Sequence, residues 1–185
     1  MKKSEIRKKI LKLRKKNKNK NLKINFKYLL KILKKVKTTS KIVGAYYPYN
    51  YEINPINILE KLEEQNYQIS LPKIKKNFKM DFYHWSVEQP LSINQYGIPE
   101  PITNKVVYPS ILLVPLVAFD KRLNRIGYGG GFYDRYIKKI KKKKKIFTIG
   151  LAYSFQKIRN VPINKYDTKL DFILTEKKIR WGYYF

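Results

Sequence analysis

Cysteine is absent from the chain, so the protein contains neither a disulfide bond nor a metal site with thiolate ligands. Histidine is nearly absent as well: His84 is the single example, which excludes a metal site built from two imidazoles. We expect His84 to pack beside Tyr83 and Trp85, and we assign it no catalytic role. The lack of cysteine suits a reducing compartment, and we expect a cytoplasmic protein.

No apolar run in the sequence is long enough to cross a membrane. The longest, residues 111–119, is interrupted by Pro115 and is far shorter than the roughly 20 residues that a bilayer span requires. The basic N-terminus lacks the apolar stretch of a secretory signal, so we expect no membrane partner and no cleaved leader. A length of 185 residues is typical of one domain, and we expect residues 1–185 to form a single-domain monomer.

Acidic residues are scarce, because 13 of them stand against 42 basic residues and leave a net charge of +29. Such a charge is compatible with nucleic-acid binding, which releases counterions from phosphates. However, the abundant lysine, asparagine, isoleucine, tyrosine and phenylalanine all have codons rich in A and T, so compositional drift explains the charge more simply. We expect no specific nucleic-acid partner, and we keep a basic RNA-binding protein as the alternative. Either way, the positive field favours anionic small molecules.

Apolar residues recur at helical spacing in four segments, and at strand-like density in six others. Ser4 is the predicted N-cap of the first helix, and Asn54 followed by Pro55 predicts the start of the third. The predicted helices lie around residues 6–13, 26–33, 58–62 and 133–140. The predicted strands are residues 41–47, 67–71, 80–85, 111–119, 147–152 and 172–174.

The order of these elements predicts an α/β fold. The run at 111–119 is almost wholly apolar, as is typical of a central parallel strand buried on both faces. Strands that alternate with helices favour a sheet covered by helices on both sides. Residues 87–108 are rich in proline and turn formers, so we predict an ordered functional loop there. The lysine-rich stretch 138–145 is interpreted as the solvated end of the last helix.

A glycine cluster follows the predicted central strand and precedes a helix, in the segment VPLVAFDKRLNRIGYGGGFYD at residues 114–134. The first turn of a helix presents free backbone amides that attract anions. Gly127, Gly129, Gly130 and Gly131 allow such amides to converge and to approach a ligand closely. The cluster matches neither a P-loop nor the dinucleotide-binding pattern, so spacing alone leaves a phosphate cradle and a plain tight turn equally open.

Two charged residues beside the glycines favour the phosphate cradle. Arg125 precedes them and supplies a fixed cation for phosphate, while Asp134 follows them and supplies a hard oxygen ligand for magnesium. The segment resembles the signature of the 5-formyltetrahydrofolate cyclo-ligase family, also called methenyltetrahydrofolate synthetases. In that signature, Pro-x-x-x-Phe-Asp leads to Arg-x-Gly-x-Gly-x-Gly-Tyr-Tyr-Asp. The matching residues are Pro115, Phe119, Asp120, Arg125, Gly127, Gly129, Gly131, Tyr133 and Asp134.

The resemblance extends over nearly the whole chain. Lys3 and Arg7 resemble the N-terminal element of the family, and residues 46–55 resemble its folate-side turn. The stretches YGIPEP at 96–101 and IGLAY at 149–153 recur too, as does 161–176. Three positions depart from the pattern: Phe132 where tyrosine is usual, Tyr166 where histidine often precedes the aspartate, and Asn54 where an acid is common. These departures keep a catalytically impaired paralogue open as an alternative.

The resemblance implies a three-layer α/β/α fold with a mainly parallel sheet, of the kind shared with sugar-phosphate isomerase and CoA-transferase-like domains. It also implies that ATP and Mg²⁺ drive the cyclisation of 5-formyltetrahydrofolate to 5,10-methenyltetrahydrofolate, with release of ADP and phosphate. In this reaction the formyl oxygen is phosphorylated first, and N10 then attacks the activated carbon.

The resemblance further implies a role for each residue of the site. The ATP-binding residues are Lys3, Arg7, Arg125, Gly127, Gly129, Gly130, Gly131 and Tyr133. The residues on the folate side are Tyr47, Glu52, Asn54, Tyr128 and Phe132. Mg²⁺ is assigned to Asp134 and Asp167, and the catalytic residues are Arg125, Tyr128 and Asp134. Without the resemblance, a structural role is the favoured explanation for Tyr47, Glu52, Phe132 and Asp167.

Overall fold

The fold was obtained as a computed structural model that describes residues 1–20, 22–38 and 40–182. Its helices are α1 Lys3–Lys16, α2 Phe26–Lys35, α3 Ile56–Glu63 and α4 Phe132–Lys141, with a short 3₁₀ helix at Ser154–Gln156. Its first six strands are β1 Ile42–Gly44, β2 Gln68–Lys75, β3 Lys79–His84, β4 Leu91–Ile93, β5 Pro99–Pro101 and β6 Val106–Val107. The other six are β7 Ile111–Pro115, β8 Ala118–Phe119, β9 Arg125–Ile126, β10 Phe147–Leu151, β11 Phe172–Leu174 and β12 Ile179–Trp181.

Within the described ranges, eight strands form one sheet in the order β12-β11-β10-β7-β1-β2-β3-β6. The strands from β11 through β2 run parallel, whereas β12, at one edge, and β3, near the other, are antiparallel to their neighbours. Strand β7 lies at the centre between β1 and β10, which agrees with its apolar composition. The mainly parallel α/β sheet predicted from the sequence is thereby confirmed.

Helices cover both faces of the sheet and complete three layers. Side chains alternate between faces along a strand, so Ile111 and Leu113 of β7 join the core on one side, and Leu112 and Val114 join the core on the other. Helices α2 and α3 pack into the first core, while α4 packs into the second. Helix α1 packs separately on β8 and β9. None of the helices in the described part of the chain is long and apolar enough to span a bilayer.

The predicted strand 111–119 is wrong in its second half. Strand β7 ends at Pro115, whose nitrogen has no hydrogen to donate to a ladder. The chain then leaves the main sheet, and β8 pairs with β9 in a two-stranded hairpin. The departure matters for function, because β9 leads directly into the glycine cluster.

The predicted loop 87–108 is also wrong in part, since β4 and β5 form a hairpin there and β6 extends the sheet. The hairpin turn is built by Asn94, whose side-chain oxygen accepts hydrogen bonds from the amides of Tyr96 and Ile98, and by Gly97 at φ 72°. The predicted N-cap Ser4 is wrong as well. The N-cap of α1 is Lys2, two residues earlier, and the Glu5 carboxylate accepts a hydrogen bond from the Lys2 amide.

Candidate functional site

The glycine loop, residues 127–131, joins β9 to the N-terminus of α4. Gly131 is the N-cap of α4 with φ 66°, and Gly129 has φ 119°. Residues with a Cβ atom rarely adopt these backbone conformations. The loop is further fixed from α1, because Arg7 Nε donates a 2.7 Å hydrogen bond to the carbonyl oxygen of Gly127. These contacts leave the start of α4 facing a large cavity.

This cavity has a volume of about 970 Å³. Its walls are the glycine loop, the segment after β1, the tip of the β2–β3 hairpin, the β4–β5 hairpin and residues near Asp167. Every residue that the sequence predicts for the site lines this cavity, with the single exception of Asn54. Residues that are more than 160 positions apart in the chain therefore meet at one place.

One end of the cavity is charged, and two of its cations are paired with its carboxylates. Arg125 Nη2 lies 2.9 Å from Asp134 Oδ1, which also accepts a 2.9 Å hydrogen bond from the Thr168 amide. Lys3 Nζ lies 2.5 Å from Asp167 Oδ2. The Arg125 side chain is 3% exposed, whereas those of Asp134 and Asp167 are 24% and 22% exposed. The carboxylates are thus accessible from the cavity, and Arg125 is held behind one of them.

The two carboxylates suit a magnesium ion that also binds a nucleotide. Mg²⁺ favours one or two protein carboxylates and takes its other ligands from water and from substrate phosphates. Asp134 and Asp167 line the same cavity beside the glycine loop, which gives such a donor set. Within the described ranges, no cluster of three or more His, Cys, Asp or Glu side chains is placed to hold a metal ion.

The other end of the cavity is aromatic and contains a buried carboxyl group. Glu52 is 8% exposed, and its Oε2 accepts a 3.0 Å hydrogen bond from the Tyr49 amide. Its Oε1 has no hydrogen-bond partner among the described residues. Burial raises the pKa of Glu52 to about 7, although the Tyr49 hydrogen bond and the Arg14 charge oppose the rise. The buried hydroxyl of Tyr133 likewise has no partner among these residues.

The structure does not bring Asn54 to this cavity. Its side-chain oxygen accepts a 3.0 Å hydrogen bond from the Ile56 amide at the start of α3, and the side chain is exposed. The N-cap of α3 is Pro55, so the predicted N-cap Asn54 is wrong by one residue, and its hydrogen bond forms an Asx turn in front of the helix. The assignment of Asn54 to the folate side is therefore withdrawn.

Sequence reasoning missed a contact between the glycine loop and the tip of the β2–β3 hairpin. Arg135 donates hydrogen bonds to the carbonyl oxygens of Gly130 and Phe78, at 2.5 and 3.1 Å. Its guanidinium lies 5.5 Å from the ring centres of both Phe78 and Phe132. The position of Arg135 directly after Asp134 is a local signal, but Phe78 joins the site only through the pairing of β2 with β3.

Comparison with known proteins gives consistent results. The sequence model of the "5-formyltetrahydrofolate cyclo-ligase family" matches residues 1–176. A 5-formyltetrahydrofolate cyclo-ligase of Haemophilus influenzae is 37% identical over 142 residues, which are 73% of this chain and 75% of that protein. The enzyme of the same name from Mycoplasma genitalium is 31% identical over 155 residues, 82% of this chain and 81% of the relative.

Solved structures agree with the sequence relatives. The 5,10-methenyltetrahydrofolate synthetase of Aquifex aeolicus superposes with a TM-score of 0.76 at 30% identity, covering 98% of this chain and 93% of the other. The 5,10-methenyltetrahydrofolate synthetase of Mycoplasma pneumoniae gives a TM-score of 0.70 at 25% identity, covering 95% of this chain and 99% of the other. The likeness therefore spans the cavity walls as well as the sheet.

Proposed function

Because this chain belongs to the 5-formyltetrahydrofolate cyclo-ligase family, we propose that it uses ATP and Mg²⁺ to convert 5-formyltetrahydrofolate to 5,10-methenyltetrahydrofolate. The observation that carries the proposal is that one cavity is lined by a charged set and an aromatic set of side chains. Lys3, Arg125 and their carboxylate partners form the charged end, and Glu52 with aromatic side chains forms the other. The glycine loop borders both ends, because it follows Arg125 and contains Tyr128. This division suits two substrates, a nucleoside triphosphate and a flat heterocycle, bound side by side.

The charged end would bind the triphosphate. The amides at the start of α4 and the side chains of Lys3, Arg7 and Arg125 are suited to phosphate oxygens. Phosphoryl transfer depends on positioning and on neutralisation of charge, which such groups supply. Lys3 and Arg125 are already paired with Asp167 and Asp134, so each cation would exchange part of that contact for phosphate.

Asp134 and Asp167 would hold Mg²⁺, whose charge would stabilise the negative charge that develops during phosphoryl transfer. The Asp134 carboxylate is oriented by the Thr168 amide, and the Asp167 carboxylate by the Asn164 amide at 2.7 Å. Each of these bonds uses one oxygen of its carboxylate. Both side chains therefore have defined positions before a ligand arrives.

The aromatic end would bind the folate. Tyr47, Tyr128 and Phe132 offer ring faces to a flat pterin, and Glu52 offers Oε1 to its hydrogen-bond donors. The formyl oxygen would attack the γ-phosphorus, and ADP would depart. N10 would then form a bond to the formyl carbon and lose its proton, while the C–O bond to the phosphorylated oxygen breaks and phosphate leaves. Every atom of the formyl group except its oxygen stays in the product.

The activity is tested by mixing the purified protein with Mg²⁺-ATP and 5-formyltetrahydrofolate and following the absorbance of the methenyl product. We expect product only when ATP and Mg²⁺ are both present, with one ADP formed for each product molecule. Well-folded protein that forms no product but still binds ATP would identify an impaired paralogue. Tight binding of single-stranded RNA at physiological salt, without saturable ATP binding, would favour the RNA-binding alternative instead.

A further inference from the structure

The guanidinium of Arg14 lies in the protein interior, underneath the aromatic end of the cavity. Arg14 is 2% exposed and is among the largest fully buried side chains. Among the described residues, no carboxylate forms an ion pair with it, and its Nε has no hydrogen-bond acceptor. A buried charge without a direct counter-ion is unfavourable, so the groups around it must stabilise it in another way.

Arg14 begins a chain of hydrogen bonds that crosses the site. Its Nη2 donates to the hydroxyl of Tyr128 in the glycine loop, and its Nη1 lies 3.5 Å from the carbonyl oxygen of Leu116. The Tyr128 hydroxyl in turn donates to the carbonyl oxygen of Tyr49 at 3.4 Å. The amide of Tyr49 donates to Glu52 Oε2 at 3.0 Å. Helix α1, the glycine loop and the segment after β1 are thereby connected.

We propose that Arg14 is a positioning residue, which acts through the Tyr128 hydroxyl to hold the glycine loop in place opposite Glu52. The role rests on the proposed function, because it serves the folate end of the cavity. Tyr128 and Glu52 both line the cavity, whereas Arg14 does not. Arg14 can therefore influence a bound folate only through these two residues and through its charge.

The charge of Arg14 acts on the carboxyl group of Glu52, which is surrounded by tyrosine phenol groups. The phenols that face the carboxyl group come from the segment after β1, the glycine loop, α4 and the start of the 3₁₀ helix, and they are Tyr46, Tyr128, Tyr133 and Tyr153. Burial raises the pKa of each phenol, so all four are neutral near pH 7. Burial also raises the pKa of Glu52, and Arg14 is the cation that opposes this. Without Arg14, more of Glu52 is protonated at neutral pH.

The test measures the affinity for 5-formyltetrahydrofolate by calorimetry in the absence of ATP, from pH 5.5 to about 8.5, a range that spans the titration of a carboxyl group raised by burial. The variants are Arg14→Met, Arg14→Lys, Tyr128→Phe and the double variant Arg14→Met/Tyr128→Phe. Lys15→Met is the matched control, because it removes a cation from an exposed position of the same helix. Thermal unfolding of each variant reports whether the fold is retained.

We expect Arg14→Met to weaken binding about tenfold at neutral pH, as the loss of a hydrogen bond from a charged donor should. At the alkaline end of the pH range, where Glu52 is ionised with or without Arg14, the same substitution should have no further effect when Tyr128 is already phenylalanine, because the link is then cut. The pH at which affinity is half-maximal should rise in Arg14→Met and stay unchanged in Lys15→Met. Arg14→Lys should keep that pH near the wild-type value, since the cation is retained, while losing affinity.

The proposal is overturned if the effects of Arg14→Met and Tyr128→Phe add in the double variant at the alkaline end of the pH range, or if the pH midpoint of Arg14→Met equals that of the wild type. A merely structural role for Arg14 predicts both of these results. Should Arg14→Met not fold, Arg14→Lys combined with Tyr128→Phe carries the same additivity test. If the wild-type protein forms product and the Arg14 variants bind the folate normally, only this role of Arg14 is refuted. If the wild-type protein fails to bind the folate, the proposed function is refuted too.

Discussion

At the scale of single residues, the charged end of the cavity is organised by two ion pairs that join its proposed phosphate-binding cations to its proposed metal ligands. Arg125 pairs with Asp134, and Lys3 pairs with Asp167. The pairs keep four charged side chains close together without bringing like charges into contact. A magnesium ion would bind the carboxylates of the two pairs, and a triphosphate would bind their cations. We therefore expect the two ligands to bind more tightly together than separately.

Asp134→Asn tests the metal assignment with little change in shape. The amide oxygen can still accept from the Thr168 amide, but the negative charge is lost. We expect kcat for cyclisation to fall at least about 100-fold, because magnesium would be held poorly. Asp81→Asn is the control. Asp81 is likewise ion-paired, with Lys75 and Lys139, but it does not line the cavity. Equal activity of the two variants would refute the role of Asp134.

Glu52 is predicted to make the protein less stable as the pH rises. Its pKa is raised from 4.5 to about 7, so the folded state holds a proton that the unfolded state releases between these pH values. Stability is therefore greatest below this window and is lost through it, by about 3 kcal/mol in total. Glu52→Gln should remove this part of the pH dependence. Urea denaturation at pH 4 and at about pH 8 measures it, and parallel losses in both proteins would contradict the prediction.

The site residues that sequence can identify are those within short motifs. The glycines, Arg125 and Asp134 lie within ten positions of one another, so their spacing carries information. Arg14 lacks such a signal, because its partner Tyr128 lies 114 positions away and because it occurs on a helix rich in exposed cations. Asn54 illustrates the opposite error. The same residue type occurs in turns at the start of a helix and in binding sites, and only the fold shows which of the two roles it has.

At the scale of elements, the glycine loop depends on a position whose backbone conformation only glycine adopts without strain. Gly129 has φ 119°, which a Cβ makes unfavourable, so Gly129→Ala should lower the free energy of unfolding by about 1–2 kcal/mol. Gly127→Ala is the control for stability, because a Cβ there meets no atom within 4 Å and the φ angle is not positive. Chemical denaturation measures both variants. If the two variants lose the same stability, the conformation of Gly129 does not constrain the loop.

Sequence patterns predicted the helices and the central strands better than the edges of the sheet. Buried strands such as β7 and β10 are almost wholly apolar, and this composition is visible without the fold. The β4–β5 hairpin is not visible, because Pro99 and Pro101 disfavour strands and because its pairing faces the cavity instead of a core. The end of β7 at Pro115 was missed, since the apolar run continues through the turn into β8.

At the scale of the whole molecule, a net charge of +29 should speed the encounter with anionic substrates. We expect kcat/KM for ATP to fall several-fold between about 0.02 M and 0.2 M salt, because screening shortens the range of the field. Steady-state kinetics at constant magnesium activity measures the effect, with kcat as the internal control. A salt dependence confined to kcat would show that the field does not guide substrate binding.

The single-domain organisation remains a proposal that also belongs to this scale. Strands of the first half of the sequence, β1, β2 and β3, lie between strands of the second half, because β7 pairs with β1 and β6 pairs with β3. Removing either half would therefore separate neighbouring strands. We expect the chain to unfold as one cooperative unit and to run as a monomer.

In the proposed function, the glycine loop holds the terminal phosphate of ATP beside a magnesium ion. A crystal structure with magnesium and a non-hydrolysable ATP analogue would show where the triphosphate binds. We expect the γ-phosphate within hydrogen-bonding distance of amides of residues 127–131, with the metal ion bound to Asp134 and Asp167. A triphosphate bound at any other place, with the glycine loop empty, would refute phosphate binding by this loop.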